Sequence, residues 1–203
     1  MKSRLDVTLL LLIILACLGA GTSQILFGTA TSEIPTEPGV SRVGFDIDNT
    51  LVFSDLAFDE VRKKTDLEAY TDEWWEAVNR FSNERLCPPK KLATAILREY
   101  QRKNVTIYAI TARKNFGGET LKQYVSSKFG IPENHIFFEP ESKTDRLKEL
   151  NLDVFYGDSD TDIKFSMEAG IKGIRVLRHP HSTYWKHYEP GKYGEIVLQN
   201  SAE

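Results

Sequence analysis

The sequence predicts an α/β protein in which a parallel sheet carries helices on both faces and a small helical insertion follows the first strand. Two observations predict the sheet. Short apolar runs alternate with amphipathic stretches along most of the chain, and clusters of aspartate directly follow two of these runs. A third observation predicts the insertion, because one connection is too long for an ordinary βα loop. The 203 residues suffice for one such domain.

Five apolar runs are predicted to be the strands. The first ends at the acidic motif around Asp46, and the fourth ends at the motif around Asp158. Helices are predicted to begin near Pro89, to cover 119–129 and to follow Thr161. The predicted strands cover 42–47, 105–110, 135–138, 153–156 and 173–177.

The segment 53–86 breaks the alternation of strands and helices. Aromatic and charged side chains are frequent in it, and Phe58, Trp74 and Trp75 are examples. We predict a small helical unit that stands over the ends of the strands, which is the edge where α/β proteins bind their ligands.

The first residues are predicted to lie outside the fold. Lys2 and Arg4 precede an apolar run over 7–18, which is short for a membrane span and typical of a signal peptide. Residues 1–21 are therefore interpreted as a signal peptide or a retained N-terminal anchor, and 22–41 as a tether before a domain over 42–203. Both alternatives predict an exported protein, periplasmic or otherwise extracytoplasmic, that touches a membrane only if the N-terminal segment is retained.

Charge and cysteine content exclude some classes of protein. The formal net charge of −3 gives no electrostatic reason to expect nucleic acid as a partner. Once a leader that contains Cys17 is removed, Cys87 is alone, so no disulfide framework exists within one chain. Cys87 is predicted to be a small apolar packing residue.

Asp46 and Asp48 form the first acidic motif, which Thr50 completes. Residues two apart on a strand point to the same side. Asp46 is predicted to attack phosphorus as the nucleophile of a two-step phosphoryl transfer, giving an aspartyl-phosphate. Asp48 is predicted to protonate the leaving oxygen and then to take a proton from water. Thr50 is expected to fix the turn with its hydroxyl group.

Asp158 and Asp162 belong to the second acidic motif. Two carboxylate clusters at one sheet edge would repel each other without a cation between them, and Mg²⁺ favours carboxylate and water oxygens. Asp158 is the candidate ligand, whereas Asp162, in the first turn of a helix, would hold a metal-bound water or a lysine. An EF-hand loop is excluded, because Ile163 stands where that loop needs Gly and Ala169 where it needs Glu.

Two further residues are candidates for phosphate binding. Thr111 follows the second predicted strand, where a hydroxyl group and backbone N–H groups are natural phosphate donors, and a plain helix cap is the alternative. Lys143 precedes a predicted helix and could neutralise phosphate oxygens in the transition state. A solvated surface lysine is the alternative for Lys143, and Lys148 is its nearby competitor.

The order of these motifs resembles that of the haloacid dehalogenase (HAD) superfamily. An apolar strand with D-x-D-x-T comes first, a threonine at a strand end and a lysine follow, and an apolar strand with G-D-S-D-x-D comes last. Residues 45–50, 155–163 and 173–178, with the later Ser182-Thr183-Tyr184, more closely resemble the bacterial class B non-specific acid phosphatases. The resemblance covers 42–200 and implies a HAD-like parallel sheet.

That family implies an exported, Mg²⁺-dependent phosphomonoesterase that also transfers phosphate to alcohols. Asp46 matches its nucleophile and Asp48 its general acid and base. The metal ligands match Asp46, Asp158 and the backbone carbonyl of Asp48, with Asp162 as the supporting acid. The phosphate site and the aromatic pocket for the leaving group match further residues: Thr111, Ala112, Arg113 and Lys143 for the first, and Phe58, Trp75 and Tyr184 for the second.

The sequence departs from the family pattern at three places. Asn49 stands where members often have Asp, and Ala112 replaces a Gly beside the phosphate, so the backbone would approach phosphate slightly more tightly there. The segment before strand one is shorter than in enteric members, where it contributes to a tetramer. Whether this chain forms a homo-oligomer is therefore left open.

Three histidines, His179, His181 and His187, follow the last predicted strand. A Zn²⁺ or Cu²⁺ site is one alternative, but the closely spaced His179 and His181 lack regular ligand geometry. Solvated loop histidines are favoured.

The sequence thus predicts an acid phosphatase that hydrolyses phosphomonoesters such as aryl phosphates and nucleoside monophosphates. Two alternatives remain. One is a narrower nucleotidase with the same chemistry, and the other is a non-catalytic surface-binding protein that kept the fold.

Overall fold

The computed structural model describes residues 34–203 of the chain. The predicted leader and the part of the predicted tether before residue 34 lie outside the described residues. Strands and helices alternate over most of the described residues, and three helices, two of them in the predicted insertion, lie between the first and second strands. In chain order the elements are β1 (Arg42–Phe45), α1 (Asp55–Lys64), α2 (Asp72–Arg80), α3 (Lys91–Arg102), β2 (Thr106–Thr111), α4 (Gly118–Phe129), β3 (Ile136–Phe138), α5 (Thr144–Glu149), β4 (Val154–Gly157), α6 (Asp160–Ala169), β5 (Lys172–Val176) and β6 (Ile196–Leu198).

The six strands form one sheet in the order β3-β2-β1-β4-β5-β6. Every neighbouring pair is parallel, and β1 lies between β2 and β4. The carboxyl ends of these three central strands therefore meet at one edge, where the acidic motifs follow β1 and β4. The parallel α/β prediction is confirmed, whereas β6 was not predicted.

The sheet buries apolar side chains on both of its faces. Phe45 of β1 stacks on Tyr156 of β4, with ring centroids 4.8 Å apart, inside the larger cluster. Phe155 precedes Tyr156 on the strand and so points to the opposite face, where it joins a second cluster with Leu147 of α5. Burial of each such side chain stabilises the fold by about 1.5–3 kcal/mol, which fixes the central strands and hence the site at their ends.

Contacts between the N-terminal stretch and the sheet begin before β1. The backbone N–H of Glu37 donates to the Tyr100 hydroxyl at 2.8 Å, and this hydroxyl lies 2.9 Å from that of Tyr156. The carboxylate of Asp153 accepts hydrogen bonds from the backbone N–H groups of Ser41 and Arg42. The last residues of the predicted tether thus pack against the domain.

Helices α1 and α2 form the predicted insertion. Val61, Trp74 and Val78 are buried between them in a small cluster of their own. Cys87 follows the insertion and is buried in the main core, as the packing interpretation requires. Among residues 34–203, no helix is both long and apolar enough to cross a membrane.

Candidate active site

Asp46 lies where β1 ends and the chain turns. Its backbone N–H donates to the Tyr156 carbonyl at 2.8 Å, which extends the sheet contact by one residue. The N–H groups of Leu51 and Val52 both donate to the Ile47 carbonyl, at 3.0 and 3.1 Å, and close the turn. Asn49 adopts a φ of 57° in this turn, a left-handed conformation that Asn tolerates better than most residues. The turn leaves the Asp46 side chain at the edge of the sheet, where it is 6% exposed.

Lys143 joins two of the predicted acids. Its ammonium group donates to Asp46 Oδ1 at 2.6 Å and to Asp162 Oδ1 at 2.7 Å, and its side chain is 2% exposed. Burial alone would lower the pKa of Lys143, but the charges of Asp162 and Asp46 outweigh it and raise this pKa. The lysine is therefore a fixed cation beside the candidate nucleophile, and its interpretation as a solvated surface residue is wrong.

Asp162 is held by its own helix as well as by Lys143. Its Oδ2 accepts from the backbone N–H of Ser159 at 3.1 Å and from the Ser159 hydroxyl at 2.7 Å, which completes a capping box at the start of α6. Gly157 makes room for this carboxylate, because a Cβ there would lie 2.3 Å from the Asp162 Cβ. Both oxygens of Asp162 thus have protein partners, which fits the supporting role predicted for it.

Asp158 faces Asp46 across the end of the sheet. Arg178, 4% exposed, donates through Nε to Asp158 Oδ2 and stacks on the rings of Tyr184 and Tyr188. Burial raises the pKa of Asp158 to about 6, although the charge of Arg178 opposes this. Burial also raises the pKa of Asp46 well above its ordinary value, against the opposing charge of Lys143.

The residues at this edge fit a hard divalent cation. Asp46, Asp158 and Asp162 each place one carboxylate oxygen within 4.8 Å of the others. In the described part of the chain, no protein donor reaches the second oxygen of Asp46 or of Asp158. Burial raises the pKa values of Asp46 and Asp158 even though Lys143 and Arg178 contact them. The positive charge of these two side chains therefore does not fully compensate the buried carboxylates, and the cluster is suited to a further cation.

Asp48 points away from this cluster, towards Arg113. The Arg113 guanidinium group donates through Nη2 to Asp48 Oδ1 at 2.6 Å and through Nε to Oδ2 at 2.9 Å, and Thr111 Oγ1 donates to Oδ2 at 3.2 Å. Burial would raise the pKa of Asp48, but the charge and hydrogen bonds of Arg113 outweigh it and lower this pKa. Arg113 Nη1 also donates to Asn79 Oδ1 at 3.1 Å and to Ser82 Oγ at 2.8 Å.

Two predicted phosphate contacts therefore have other partners in this structure. Thr111 is fully buried, and its hydroxyl both donates to Asp48 and accepts from the backbone N–H of Arg113. The Arg113 side chain is fully buried as well, and most of its N–H groups are committed to Asp48, Asn79 and Ser82. Ala112, between them, lines the cavity.

An aromatic cavity of about 230 Å³ opens beside the acidic cluster. Phe58 of α1 and Trp75 of α2 lie edge to face, 6.4 Å between ring centroids, and both line the cavity with Tyr184 from the loop after β5. Tyr70, Trp74 and Arg62 line it too. The insertion and the C-terminal loop thus supply the rings, and the sheet edge supplies the charges.

Comparison with known proteins identifies the family. The family described as HAD superfamily, subfamily IIIB (acid phosphatase) matches residues 21–187. The class B acid phosphatase of Salmonella typhimurium is 36% identical over 171 residues, covering 78% of this chain and 72% of that protein. The one from Morganella morganii is 32% identical with the same coverage. The chain belongs to the subfamily IIIB acid phosphatases.

Solved structures share the fold of this acid phosphatase at low sequence identity. CbbY from Rhodobacter sphaeroides in complex with phosphate has a TM-score of 0.53 at 16% identity, covering 81% of this chain and 96% of that one. A HAD family hydrolase from Deinococcus radiodurans, with bound phosphate and sodium, has a TM-score of 0.51 at 17% identity, covering 80% and 92%. The HAD-like fold and the family predicted from the sequence are both confirmed.

Most of the predicted site residues of this acid phosphatase meet in one place. The cavity and its floor bring together Asp46, Asp48, Phe58, Trp75, Ala112, Arg113, Lys143, Asp158, Asp162 and Tyr184, with Thr111 buried behind Asp48. Among residues 34–203, the group of three ligand-type side chains is this acidic one and contains no histidine. His179 instead stacks on Phe53, with ring centroids 4.4 Å apart, and its Nδ1 accepts from the backbone N–H of His181.

Three functional candidates were not predicted. Arg178 contacts Asp158, Asn79 contacts Arg113, and Asp55 contacts the loop that carries Tyr184. A signal existed for Arg178, because it follows β5 at the same edge as the aspartates. None existed for Asn79 or Asp55, which are polar residues on helices of the insertion.

Proposed function

We propose that this acid phosphatase hydrolyses phosphomonoesters through an aspartyl-phosphate on Asp46 and depends on Mg²⁺. The observation that supports the proposal best is the contact of Lys143 with both Asp46 and Asp162, beside Asp158, at the floor of an aromatic cavity. A nucleophilic carboxylate, a fixed cation and a second acid for a metal are the groups that phosphoryl transfer to aspartate requires.

In the first half of the reaction, a carboxylate oxygen of Asp46 attacks phosphorus. The bond between phosphorus and the ester oxygen breaks, and the leaving oxygen takes a proton from Asp48. In the second half, water gives a proton to Asp48 and attacks phosphorus, which releases phosphate and restores Asp46. An alcohol in place of water gives phosphate transfer instead.

The charged groups around Asp46 compensate negative charge in both halves of the reaction. Lys143 opposes the rise that burial causes in the pKa of Asp46 and offsets the negative charge of the phosphoryl oxygens. Asp46, Asp158 and the backbone carbonyl of Asp48 would hold Mg²⁺, which when bound supplies positive charge that further offsets the phosphate charge. Arg178 orients Asp158, and Asp162 orients Lys143.

The hydrogen bonds of Asp48 favour its role as a base. Arg113 contacts both of its oxygens and lowers its pKa, so the carboxylate is ionised and ready to accept a proton from water. Proton donation in the first half requires the protonated form, in which contact with Arg113 is weaker.

The cavity supports a preference for leaving groups with planar rings. The acidic part of the cavity, here called the phosphate half, recognises only the phosphoryl group. Discrimination between substrates therefore comes from Phe58, Trp75 and Tyr184 around the leaving group. Contact between a planar ring of the leaving group and an aromatic side chain contributes about 0.5–1.5 kcal/mol beyond the burial of apolar surface. Aryl phosphates and nucleoside monophosphates are the proposed substrates.

We also propose that the protein is exported. Lys2 and Arg4 followed by the apolar run over 7–18 support a signal segment that directs the chain across a bacterial inner membrane. N-terminal sequencing of the protein from its native host tests this, and an intact Met1 on soluble cytoplasmic protein would disprove it.

A purified-enzyme assay tests the chemistry. The wild type with Mg²⁺ should hydrolyse an aryl phosphate, and Asp46→Asn should lower kcat about 1000-fold or more while the circular dichroism spectrum is unchanged. Acid-quench trapping with ³²P-labelled substrate should label the wild type and not the variant.

The matched control is Asp72→Asn. Asp72 is a carboxylate at the start of α2, and 48% of its side chain is exposed. A wild type without turnover on aryl, nucleoside and aliphatic phosphates would favour a non-catalytic binding protein.

A further inference from the structure

Asp55 is a buried carboxylate for which the proposed reaction has no use. It is the first residue of α1 and is 1% exposed. Its Oδ2 accepts hydrogen bonds from the Ser182 hydroxyl at 2.8 Å, from the Thr183 hydroxyl at 3.3 Å and from the backbone N–H of Thr183. Its Oδ1 accepts from the Asn49 side-chain amide at 3.3 Å. Asp55 thus connects the turn after β1 to the loop after β5.

A carboxylate in this position requires several donors. Burial of an unpaired charge is strongly unfavourable unless hydrogen bonds replace its hydration. Among residues 34–203, no lysine, arginine or histidine forms an ion pair with Asp55. The donors described above and the amino end of α1 supply the compensation. Most of these donors belong to the distant loop, so the carboxylate serves to fix that loop.

The loop that Asp55 fixes carries Tyr184. Ser182 and Thr183 precede it directly, and Arg178 donates through Nη1 to the Tyr184 carbonyl at 2.6 Å. The tyrosine is therefore anchored on one side by the arginine that contacts Asp158 and on the other by Asp55. Phe58, three residues after Asp55 on the same helix, lines the same cavity as Tyr184.

We infer that Asp55 is a positioning residue for leaving-group selection, which fixes Tyr184 relative to Phe58 and so sets the shape of the aromatic half of the cavity. This inference rests on the proposed function for its kinetic consequence. It concerns the leaving group, because Asp55 contacts neither Asp46 nor Lys143 nor Asp158, and its hydrogen bond to the turn after β1 is with Asn49.

Steady-state kinetics give the first measurement. Asp55→Ala should lower kcat/KM for an aryl phosphate about three- to tenfold relative to an aliphatic phosphate. The inhibition constant of inorganic phosphate, which reports the phosphate half, should not change. Ser182→Ala removes a donor from the loop side and should shift the same ratio in the same direction. Asp72→Ala, which removes the corresponding first-turn carboxylate from α2, should leave the ratio unchanged.

A double-mutant cycle separates positioning from a general loss of stability. If Asp55 acts through Tyr184, then Asp55→Ala should have no further effect on the aryl-to-aliphatic ratio in a Tyr184→Ala background. Equal losses on both substrates, or additive effects in the cycle, would overturn the inference. Asp55→Asn, which keeps the shape and one acceptor, replaces Asp55→Ala if the latter does not fold.

Hydrogen exchange tests the contact without reference to turnover. The backbone N–H of Thr183 donates to Asp55, so the amides of 183–186 should exchange faster in Asp55→Ala and Asp55→Asn than in the wild type. Unchanged exchange would overturn the inference even if the enzyme is a phosphatase. Faster exchange in a protein without turnover would support the contact and reject the proposed function instead.

Discussion

Arg113 and Asp48 form a bidentate ion pair inside the protein, with Arg113 Nη2 2.6 Å from Asp48 Oδ1 and Nε 2.9 Å from Oδ2. The arginine side chain is fully buried, and its Nη1 donates to Asn79 and Ser82 at the end of the insertion. The insertion therefore does more than cover the cavity. Through Arg113 it orients the carboxylate that is proposed to move the proton.

The variant Arg113→Lys should show whether the catalytic role of Asp48 depends on its contact with Arg113. A lysine keeps the charge but cannot donate in a planar fork, and it leaves Asn79 and Ser82 without their donor. We expect kcat to fall about 10- to 100-fold for alkyl phosphates, whose leaving oxygen needs a proton, and less for p-nitrophenyl phosphate, which needs little protonation. A plot of log kcat against the pKa of the leaving group should become steeper.

The control for this prediction is another arginine of the insertion. Arg80 lies on α2 with 69% of its side chain exposed, and it pairs only with Glu76 in the described part of the chain. Arg80→Lys should leave both kcat values unchanged. Equal losses on both substrates in Arg113→Lys would mean that Arg113 supports the fold without orienting Asp48.

The acids of the site could be predicted from the sequence because their position does not depend on the order of the strands in the sheet. An apolar run followed by aspartate marks the end of a buried strand, and all parallel strands end at the same edge. Asp46, Asp158 and Lys143 therefore met as predicted. The direction of a side chain in a turn is not readable in this way, so Arg113 was matched to phosphate while its guanidinium group contacts Asp48.

Long-range partners were the part that could not be predicted. Asn79 and Asp55 lie on insertion helices, and their partners lie 34 and 127 residues away along the chain. No periodicity encodes such a pair. The strand β6 was missed for a different reason, since it has three residues of which Ile196 is exposed, and its pairing depends on β5.

Metal binding should be measurable as stability. A ligand that binds only the folded state raises the free energy of unfolding by RT ln(1 + [L]/Kd), or about 2.7 kcal/mol at 100 times Kd. Mg²⁺ added to EDTA-treated protein should therefore raise Tm, and Asp158→Asn should remove most of this increase. Asp72→Asn should retain it. A larger increase with Zn²⁺ that disappears on mutation of His179 or His181 would instead indicate a histidine site.

The adjacent tryptophans of α2 should behave differently from each other. Trp74 is 1% exposed and packs with Val61 and Val78, so Trp74→Ala should lower the free energy of unfolding by about 3–5 kcal/mol. Trp75 is half-buried, and its ring lines the cavity beside Phe58. Trp75→Ala should cost less stability and should lower kcat/KM more for a nucleoside monophosphate than for a small aliphatic phosphate. Equal losses on both substrates would assign Trp75 to the fold alone.

Acid should destabilise the protein partly through Glu195. Its side chain is 3% exposed and accepts from the fully buried Arg175 and from the backbone N–H groups of Gly191 and Tyr193, each at 2.9 Å. Burial would raise the pKa of Glu195, but these hydrogen bonds outweigh it and lower the pKa. The folded protein thus binds this proton less readily than the unfolded chain does.

The sign of the pH effect follows from that difference. The contribution of Glu195 is complete above its unfolded pKa of 4.5 and is lost as the pH falls through the lower folded pKa. Urea unfolding at pH 7 should therefore show Glu195→Gln to be less stable than the wild type by about 1–3 kcal/mol, because a charge-assisted hydrogen bond to Arg175 is weakened. This difference should shrink as the pH falls below 4.5. Glu189→Gln, with 70% of its side chain exposed, should match the wild type at each pH. A Glu195→Gln difference that is constant with pH would show that the carboxylate contributes packing and no charge.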